Sequence, residues 1–319
     1  MLLAMNTVAP SPWLRALVVS ALVLLPACQA SVEEATSAGS TGDPGTSASS
    51  SSSSSSSSGG DTEPVGEGKA ELRFAHLSPK IGAFDVCAGK AGPLLAAAGL
   101  GAGLSYGQVS RYLPAAAPGE AWILVPAGAG CADPAGSTLS IAWPLGAQHG
   151  RVTVVPFRSM QGGVEVLDVY AYLDEPRNDQ YGINLRVLDF AVYKEGSSLG
   201  ATIHASLIGP GAQEITELFP QLDFAAVATE SPMDEVTAAG FVHTPFISVG
   251  LLRIIPDAYT EPLETSEEVA IPAGEEGNAY GVASIFVAGG LYDHKARIIV
   301  CADNAPPEGA LSRCTEPPL

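Results

Sequence analysis

Short runs of β-branched and aromatic residues recur along the chain from residue 71 onward, and they constrain the fold more than any other feature. Pro and Gly turns such as Ala117-Pro118-Gly119 lie between them, as expected where strands end. The runs predict strands at 71–77, 83–88, 121–126, 138–143, 151–158, 164–173, 183–192, 201–208, 246–255, 280–288 and 296–301. No long helical period competes with them, and only 213–219 and 231–239 are predicted to form a turn or two of helix. The pattern predicts an all-β fold of antiparallel sandwiches.

The β-rich part of the chain contains the same unit twice. Each unit opens on a strand with a Leu-Arg pair and closes on an Asp that follows a Phe by 17 positions. These markers are Leu72-Arg73, Phe157 and Asp174 in the first unit and Leu185-Arg186, Phe286 and Asp303 in the second. The simplest interpretation is two tandem β-sandwich (Ig-like) domains, at 69–178 and 179–319.

The first 27 residues have the pattern of a secretory signal. Arg15 precedes an apolar stretch from Ala16 to Leu25, which is too short to span a bilayer, since a spanning helix needs about 20 residues. The following Leu25-Pro26-Ala27-Cys28 resembles a bacterial lipobox, although Pro26 departs from the usual small or aliphatic residue. Cys28 is therefore the predicted lipidation site, and acyl chains there would anchor the protein to a membrane. The alternative is an ordinary cleaved signal with an incidental cysteine.

Residues 28–68 are predicted to form a disordered tether. They are rich in Ser, Thr and Gly, include an unbroken serine run from Ser49 to Ser58, and cannot bury enough apolar surface to fold. A flexible segment of this length has a root-mean-square reach of roughly 35 Å. Gln29 follows the lipidation site, where Asp would favour the inner membrane, so the sequence favours anchoring in the outer membrane.

The strongly acidic composition excludes one class of partner. The chain has 34 acidic and 15 basic residues and a formal net charge of −19. Proteins that bind nucleic acid neutralise phosphates with clustered Lys and Arg, and no such cluster occurs here. The charge is instead typical of a soluble, self-repelling surface.

Four cysteines besides Cys28 predict two disulfides in an exported protein. They are Cys87, Cys131, Cys301 and Cys314. Three connectivities are open, and pairing within each unit, Cys87 with Cys131 and Cys301 with Cys314, is favoured. The spacings include no Cys-x-x-Cys and no nearby His, so no metal site is expected.

The sequence contains no convincing catalytic pattern, and no cofactor is expected. Gly196-Ser197-Ser198-Leu199-Gly200 matches the letters of the hydrolase Gly-x-Ser-x-Gly pattern, but it lies between two strands rather than before a helix. The histidines are far apart and lack metal-ligand spacing: His76, His149, His204, His243 and His294. His76 shares a strand face with Leu72 and Phe74, its counterpart in the second unit is Asp189, and it is interpreted as a hydrogen-bonded strand end.

Two segments of the first unit resemble the bacterial repeat known as domain of unknown function 4397. They are Leu72 to Pro79, with the motif residues His76, Ser78 and Pro79, and Ala83 to Val86, which contains Asp85. Tyr106 to Leu113 and the tail Cys301 to Cys314 are also similar to elements of that family. Lys80 and, in the second unit, Asp189 depart from its pattern. The resemblance implies tandem β-sandwich modules on exported or surface proteins and supplies no catalytic residues.

Together these features predict a surface lipoprotein whose modules are not enzymatic and serve binding, adhesion or cell-envelope structure. The expected partners are the membrane, through lipid on Cys28, and an envelope polysaccharide or surface protein. Two alternatives remain. One is a hydrolase of envelope or extracellular polymers that uses Asp85, Asp174 or Asp303 with a His, and the other is a periplasmic carrier of a small molecule or metal.

Overall fold

The computed structural model describes residues 70–88, 92–114, 122–132, 137–139, 150–161, 164–176, 182–194, 200–208, 215–244, 251–257, 261–267, 280–291 and 295–319. The predicted signal peptide, Cys28, the predicted tether and Ser198 lie outside these residues. All of the described residues belong to one compact unit. None of them forms a helix that is long and apolar enough to cross a membrane.

About half of the described residues lie in strands and only the four residues of α1 among them form a helix, so the prediction of an all-β fold is confirmed. The elements are β1 (Glu71–Phe74), β2 (Phe84–Ala88), α1 (Leu94–Ala97), β3 (Leu113–Pro114), β4 (Trp122–Pro126), β5 (Ser137–Leu139), β6 (Arg151–Gln161), β7 (Val164–Leu173), β8 (Gly182–Val192), β9 (Ile203–Ile208), β10 (Ile215–Leu222), β11 (Val242–Thr244), β12 (Leu251–Pro256), β13 (Leu263–Glu264), β14 (Tyr280–Gly290), β15 (Arg297–Ala302) and β16 (Cys314–Thr315).

The first half of the described chain, 70–176, contains two sheets. One has the strand order β3-β1-β6-β7 and the other β2-β4-β5. Side chains of Leu72 and Phe74 from the first sheet and of Val86 and Trp122 from the second belong to one buried apolar cluster. The two sheets therefore pack face to face around this core.

The second half, 182–319, repeats this arrangement. Its sheets have the orders β11-β8-β14-β15-β16 and β10-β9-β12-β13, so β8, β9, β12 and β14 take the places of β1, β2, β4 and β6. Leu185 and Ile285 from the larger sheet and Ile203 and Leu252 from the other share a second apolar core. The second half adds the strands β10 and β16.

The expectation of wholly antiparallel sheets is wrong at one place in each half. β1 pairs with β6 in parallel, and β8 pairs with β14 in parallel over eleven residues. The strands of the other sheet lie between each pair in the sequence, so the chain crosses to that layer and returns in the same direction. Residue alternation along a strand predicts which face is buried but carries no information on strand direction.

Both predicted helical turns are also wrong. Residues 215–222 form β10, which pairs antiparallel with the edge of β9 and has register shifts around Phe219. Leu218, Phe219 and Leu222 are buried in the second core, so packing on the sheet outweighs the local pattern. Residues 231–239 contain turns and bends, and the short helix α1 was not expected.

A third apolar cluster joins the two halves. Phe157 and Tyr172 of the first half and Phe190 and Phe286 of the second are among its members. These residues lie on the faces of the sheets β3-β1-β6-β7 and β11-β8-β14-β15-β16 that point away from the two cores. The described strands thus form four stacked layers, with these two sheets in the middle.

Candidate functional site

A cluster of buried polar residues lies between the two central sheets. Each half supplies an arginine from its first strand, the hydroxyl residue opposite it on the neighbouring parallel strand, and the aspartate that follows its hairpin. The members are Arg73, Thr153 and Asp174 from the first half and Arg186, Ser284 and Asp303 from the second. We call these six residues the charge cluster.

Each arginine in the charge cluster makes its shortest ion pair with the aspartate of the opposite half, and Arg73 Nε also lies 3.8 Å from Asp174 Oδ2 of its own half. Arg73 Nη1 donates to Asp303 Oδ1 at 2.5 Å, and Arg186 Nη2 donates to Asp174 Oδ1. Within each half the hydroxyl group donates to the local carboxylate, from Thr153 at 2.7 Å and from Ser284 at 2.6 Å. Each half therefore supplies the aspartate that pairs with the arginine of the other half. We call this arrangement the reciprocal exchange of ion pairs.

Further hydrogen bonds support the arginines. Arg73 Nε donates to Thr153 Oγ1 at 2.7 Å, and its Nη2 reaches Ser284 Oγ at 3.1 Å. Arg186 donates to Ser284 Oγ at 2.8 Å and to the carbonyl of Leu173 at 3.0 Å. Ser284 thus accepts from both guanidinium groups. The Nε of Arg186 has no hydrogen-bond partner within the described structure.

The charge cluster is almost completely removed from solvent. The side chains of both arginines are 0 % exposed, that of Asp174 is 4 % exposed and that of Asp303 is 6 % exposed. Burial acts to lower the pKa of Arg73. The nearby acidic groups, Asp303 foremost, together raise it by more, so the pKa of Arg73 lies above its ordinary value. Arg73 remains a cation because its charge is matched within the protein.

Tyr112 lies beside the charge cluster. Its hydroxyl donates to Asp174 Oδ2 at 2.9 Å. The guanidinium carbons of Arg73 and Arg151 both lie 4.8 Å from the centre of its ring, which is within cation-π distance. Burial raises the pKa of the Tyr112 hydroxyl well above its ordinary value, so this hydroxyl serves as a hydrogen-bond donor.

A cavity of about 340 Å³ opens next to Tyr112 and Asp303. One wall is formed by the first half, including Glu71, Arg111 and Arg151, and the other by the C-terminal tail from Ala302 to Ser312. The tail is held there by main-chain hydrogen bonds to residues 109 and 111, at 2.9 Å each. The volume of the cavity is at the lower end of the range for small-molecule sites.

The structure contains both predicted disulfides, and the favoured connectivity is confirmed. Cys87 is bonded to Cys131 and Cys301 to Cys314. Cys314 lies in β16 directly opposite Cys301 in β15. The second disulfide therefore fixes the end of the tail that forms one wall of the cavity.

The residues of the family motif have structural partners. Asp85 Oδ1 accepts from the main-chain N–H groups of Val86 and Leu95 at 2.6 and 2.9 Å, and its Oδ2 accepts from Ala96 at 2.9 Å. This carboxylate therefore caps the first turn of α1, where a negative charge is favourable. Ser78 Oγ accepts from the N–H of Arg158 at 3.1 Å, and Pro79 lies in the adjacent turn.

His76, two residues beyond the end of β1, and its counterpart Asp189 in β8 are both fully buried. His76 Nε2 lies 3.1 Å from the carbonyl of Gly82, and its Nδ1 has no partner within the described structure. Asp189 Oδ1 accepts from the N–H of Ala191 at 2.8 Å, and Oδ2 is likewise unpartnered there. Burial lowers the pKa of His76 and raises that of Asp189 well above its ordinary value.

The structure brings together two of the three carboxylates considered for hydrolysis. Asp174 and Asp303 meet in the charge cluster, whereas Asp85 caps α1. Of the described histidines besides His76, His204 pairs with Asp257 and His243 lies in β11, while His149 and His294 fall outside the described residues. No group of three or more potential metal ligands occurs among the described residues.

Sequence reasoning identified Arg73 and Arg186 only as markers of the repeat, and it named Asp174 and Asp303 as markers and as candidate carboxylates of a hydrolase. A stronger signal was present, because an arginine between two apolar residues in each opening strand, in Leu72-Arg73-Phe74 and Leu185-Arg186-Val187, indicates a buried partner of opposite charge. The roles of Tyr112 and Arg111 had no such signal. No protein-family model and no curated protein matches this chain.

Proposed function

We propose that this protein is a lipid-anchored component of the bacterial cell envelope, held in the outer membrane, whose β-rich head is a non-catalytic module for binding or envelope structure. The anchor rests on the sequence, on the signal pattern of residues 1–27 and the lipobox that ends in Cys28. The proposed role of the head is based on the charge cluster.

The reciprocal exchange of ion pairs in the charge cluster is the observation that carries the proposal. A pair of carboxylates that hydrolyses a glycosidic polymer must face its substrate. Here Asp174 and Asp303 are each paired with an arginine of the opposite half and hydrogen-bonded to a hydroxyl of their own half. This arrangement supports a role in holding the two halves together as one rigid head.

One observation favours a polymer hydrolase as a second candidate: Asp303 lines the cavity. The two candidates differ in a direct assay, in which the full protein is incubated with envelope polysaccharide and new reducing ends are measured. A non-catalytic head releases none. Release that is abolished by Asp303→Asn while the circular dichroism spectrum of this variant stays native, and that is retained in Asp257→Asn, a surface control, would favour the hydrolase.

The anchor is tested by expressing the protein and a Cys28→Ala variant in a bacterial host and comparing intact mass and detergent partitioning. We expect the native form alone to gain acyl mass and to enter the detergent phase. If both forms are soluble and unacylated, the proposal of a lipid anchor is wrong.

A further inference from the structure

The cavity beside the charge cluster carries one positive charge without a partner. Its two acidic residues are already paired, Glu71 with Arg151 at 2.8 Å and Asp303 with Arg73 at 2.5 Å. The remaining lining cation, Arg111, forms no ion pair within the described part of the chain. The four charged lining residues sum to zero, but Asp303 is neutralised by Arg73 behind the wall, so Arg111 is the lining charge that is left without an opposite charge.

Arg111 is held in place by its main chain while its side chain remains available. Its N–H donates to the carbonyl of Ala310 at 2.9 Å, which fixes the residue against the tail. Among the residues that the structure describes, the guanidinium group makes one long hydrogen bond, of 3.4 Å, to the carbonyl of Gly309. Since acidic residues outnumber basic ones by more than two to one, a partly buried arginine without an acidic partner indicates a place for an external anion.

The other walls of the cavity suit a compact ligand that has apolar faces. Leu113, Pro114 and Pro307 contribute apolar surface, and Tyr112 forms part of the inner wall. A volume of about 340 Å³ accommodates a single ring with its substituents and is small for an extended chain. The planar fork of an arginine matches the two oxygens of a carboxylate, which accept its N–H groups in parallel.

We propose that this cavity binds a carboxylated sugar ring, such as a hexuronate unit of an acidic polysaccharide, and that Arg111 binds its carboxylate. This inference rests on the proposed function of the head as a binding module, and it adds the class of ligand that the module binds. Arg151 and Glu71 border the site as a neutral pair, and the apolar walls contact the ring faces. For a ligand of this size we expect a dissociation constant of about 1 mM.

Calorimetric titration of the full-length protein with D-glucuronate tests the proposal. We expect Arg111→Gln to weaken binding at least about tenfold, the loss that follows from removing a charge-assisted pair. Ala305→Trp, which fills the cavity from the tail without changing a charge, should weaken binding similarly. Arg158→Gln is the matched control, since Arg158 lies on β6 and contacts Glu165 at 3.4 Å, and it should leave binding unchanged.

Companion ligands identify the chemistry that is recognised. D-glucose, acetate and inorganic phosphate should each bind at least about tenfold more weakly than glucuronate if both ring and carboxylate are needed. Equal binding of acetate or phosphate would overturn the sugar assignment in favour of a general anion site. No glucuronate binding, or binding that survives both Arg111→Gln and Ala305→Trp, would overturn the inference altogether. The acylation assay of the anchor is independent of these outcomes.

Discussion

Arg73 and Asp303 lie 230 positions apart in the sequence and form a 2.5 Å ion pair between the two halves of the head. Arg186 and Asp174 form the equivalent pair in the opposite sense. Because all four side chains are nearly or completely buried, the halves cannot separate without breaking both of these ion pairs. The halves are thus coupled by electrostatics as well as by the shared apolar cluster.

Removing one partner of this pair should destabilise the head strongly. Arg73→Met leaves Asp303 buried without its cation, and we expect a loss of about 3–5 kcal/mol in the free energy of unfolding. Urea unfolding followed by circular dichroism measures it. Arg158→Met removes an exposed pair with Glu165 and should cost no more than about 1 kcal/mol.

Combining Arg73→Met with Asp303→Leu tests the coupling between these two residues. Since the double variant leaves neither charge of the pair buried, its loss of stability should be smaller than the sum of the two single losses. Strict additivity of the two single losses would show that the pair does not act as a unit.

The two disulfides should differ in their contribution to stability. Their cysteines are 44 and 13 positions apart. On the chain-entropy model, closure of these loops contributes about 4 kcal/mol for Cys87–Cys131 and about 3 kcal/mol for Cys301–Cys314. Replacing each pair by alanines and comparing urea midpoints checks the order. A larger loss from the shorter loop would mean that anchoring the tail outweighs loop length.

Asp189 should make the head less stable as pH rises. Its pKa is raised by burial, with a further contribution from Asp223, so above the ordinary Asp pKa of about 3.9 the folded state holds a proton that the unfolded state has lost. Stability therefore falls from about pH 4 until the raised pKa is passed. Asp189→Asn should remove this fall in unfolding experiments across pH. Glu230→Gln, a control at an exposed position, should retain the fall of stability with rising pH.

His76 should have the opposite effect at the equivalent position. Burial lowers its pKa, so below about pH 6.5 the unfolded state gains a proton that the folded state does not accept. Stability is therefore lost as pH falls through this range. Nuclear magnetic resonance titration of the ring should give a midpoint below 6.5, and His76→Gln should flatten the acid limb. A midpoint at or above 6.5 would contradict the burial of this ring.

Local patterns predicted much of the fold. Runs rich in β-branched and aromatic residues at β8 and β14 gave strands at the correct places, because strands that are buried on both faces need apolar residues at successive positions. The pairing of Cys301 with Cys314 also followed from their position within one unit. β10 was missed because its residues 215–222 are only weakly apolar, and they form a strand because the edge of β9 offers hydrogen-bond partners.

The sequence by itself determined the all-β class, most strand positions and the repeated Arg and Asp markers, because these depend on residue type and on short spacings. It favoured the disulfide pairing that the structure has but left two other connectivities open. Only the tertiary structure decided that β1 and β8 pair in parallel with distant strands, and that Arg73 lies closer to Asp303, at 2.5 Å, than to Asp174 of its own half, at 3.8 Å. Such choices depend on how two sheets face each other across a shared layer. That arrangement is set by the packing of the whole chain, and no short segment encodes it.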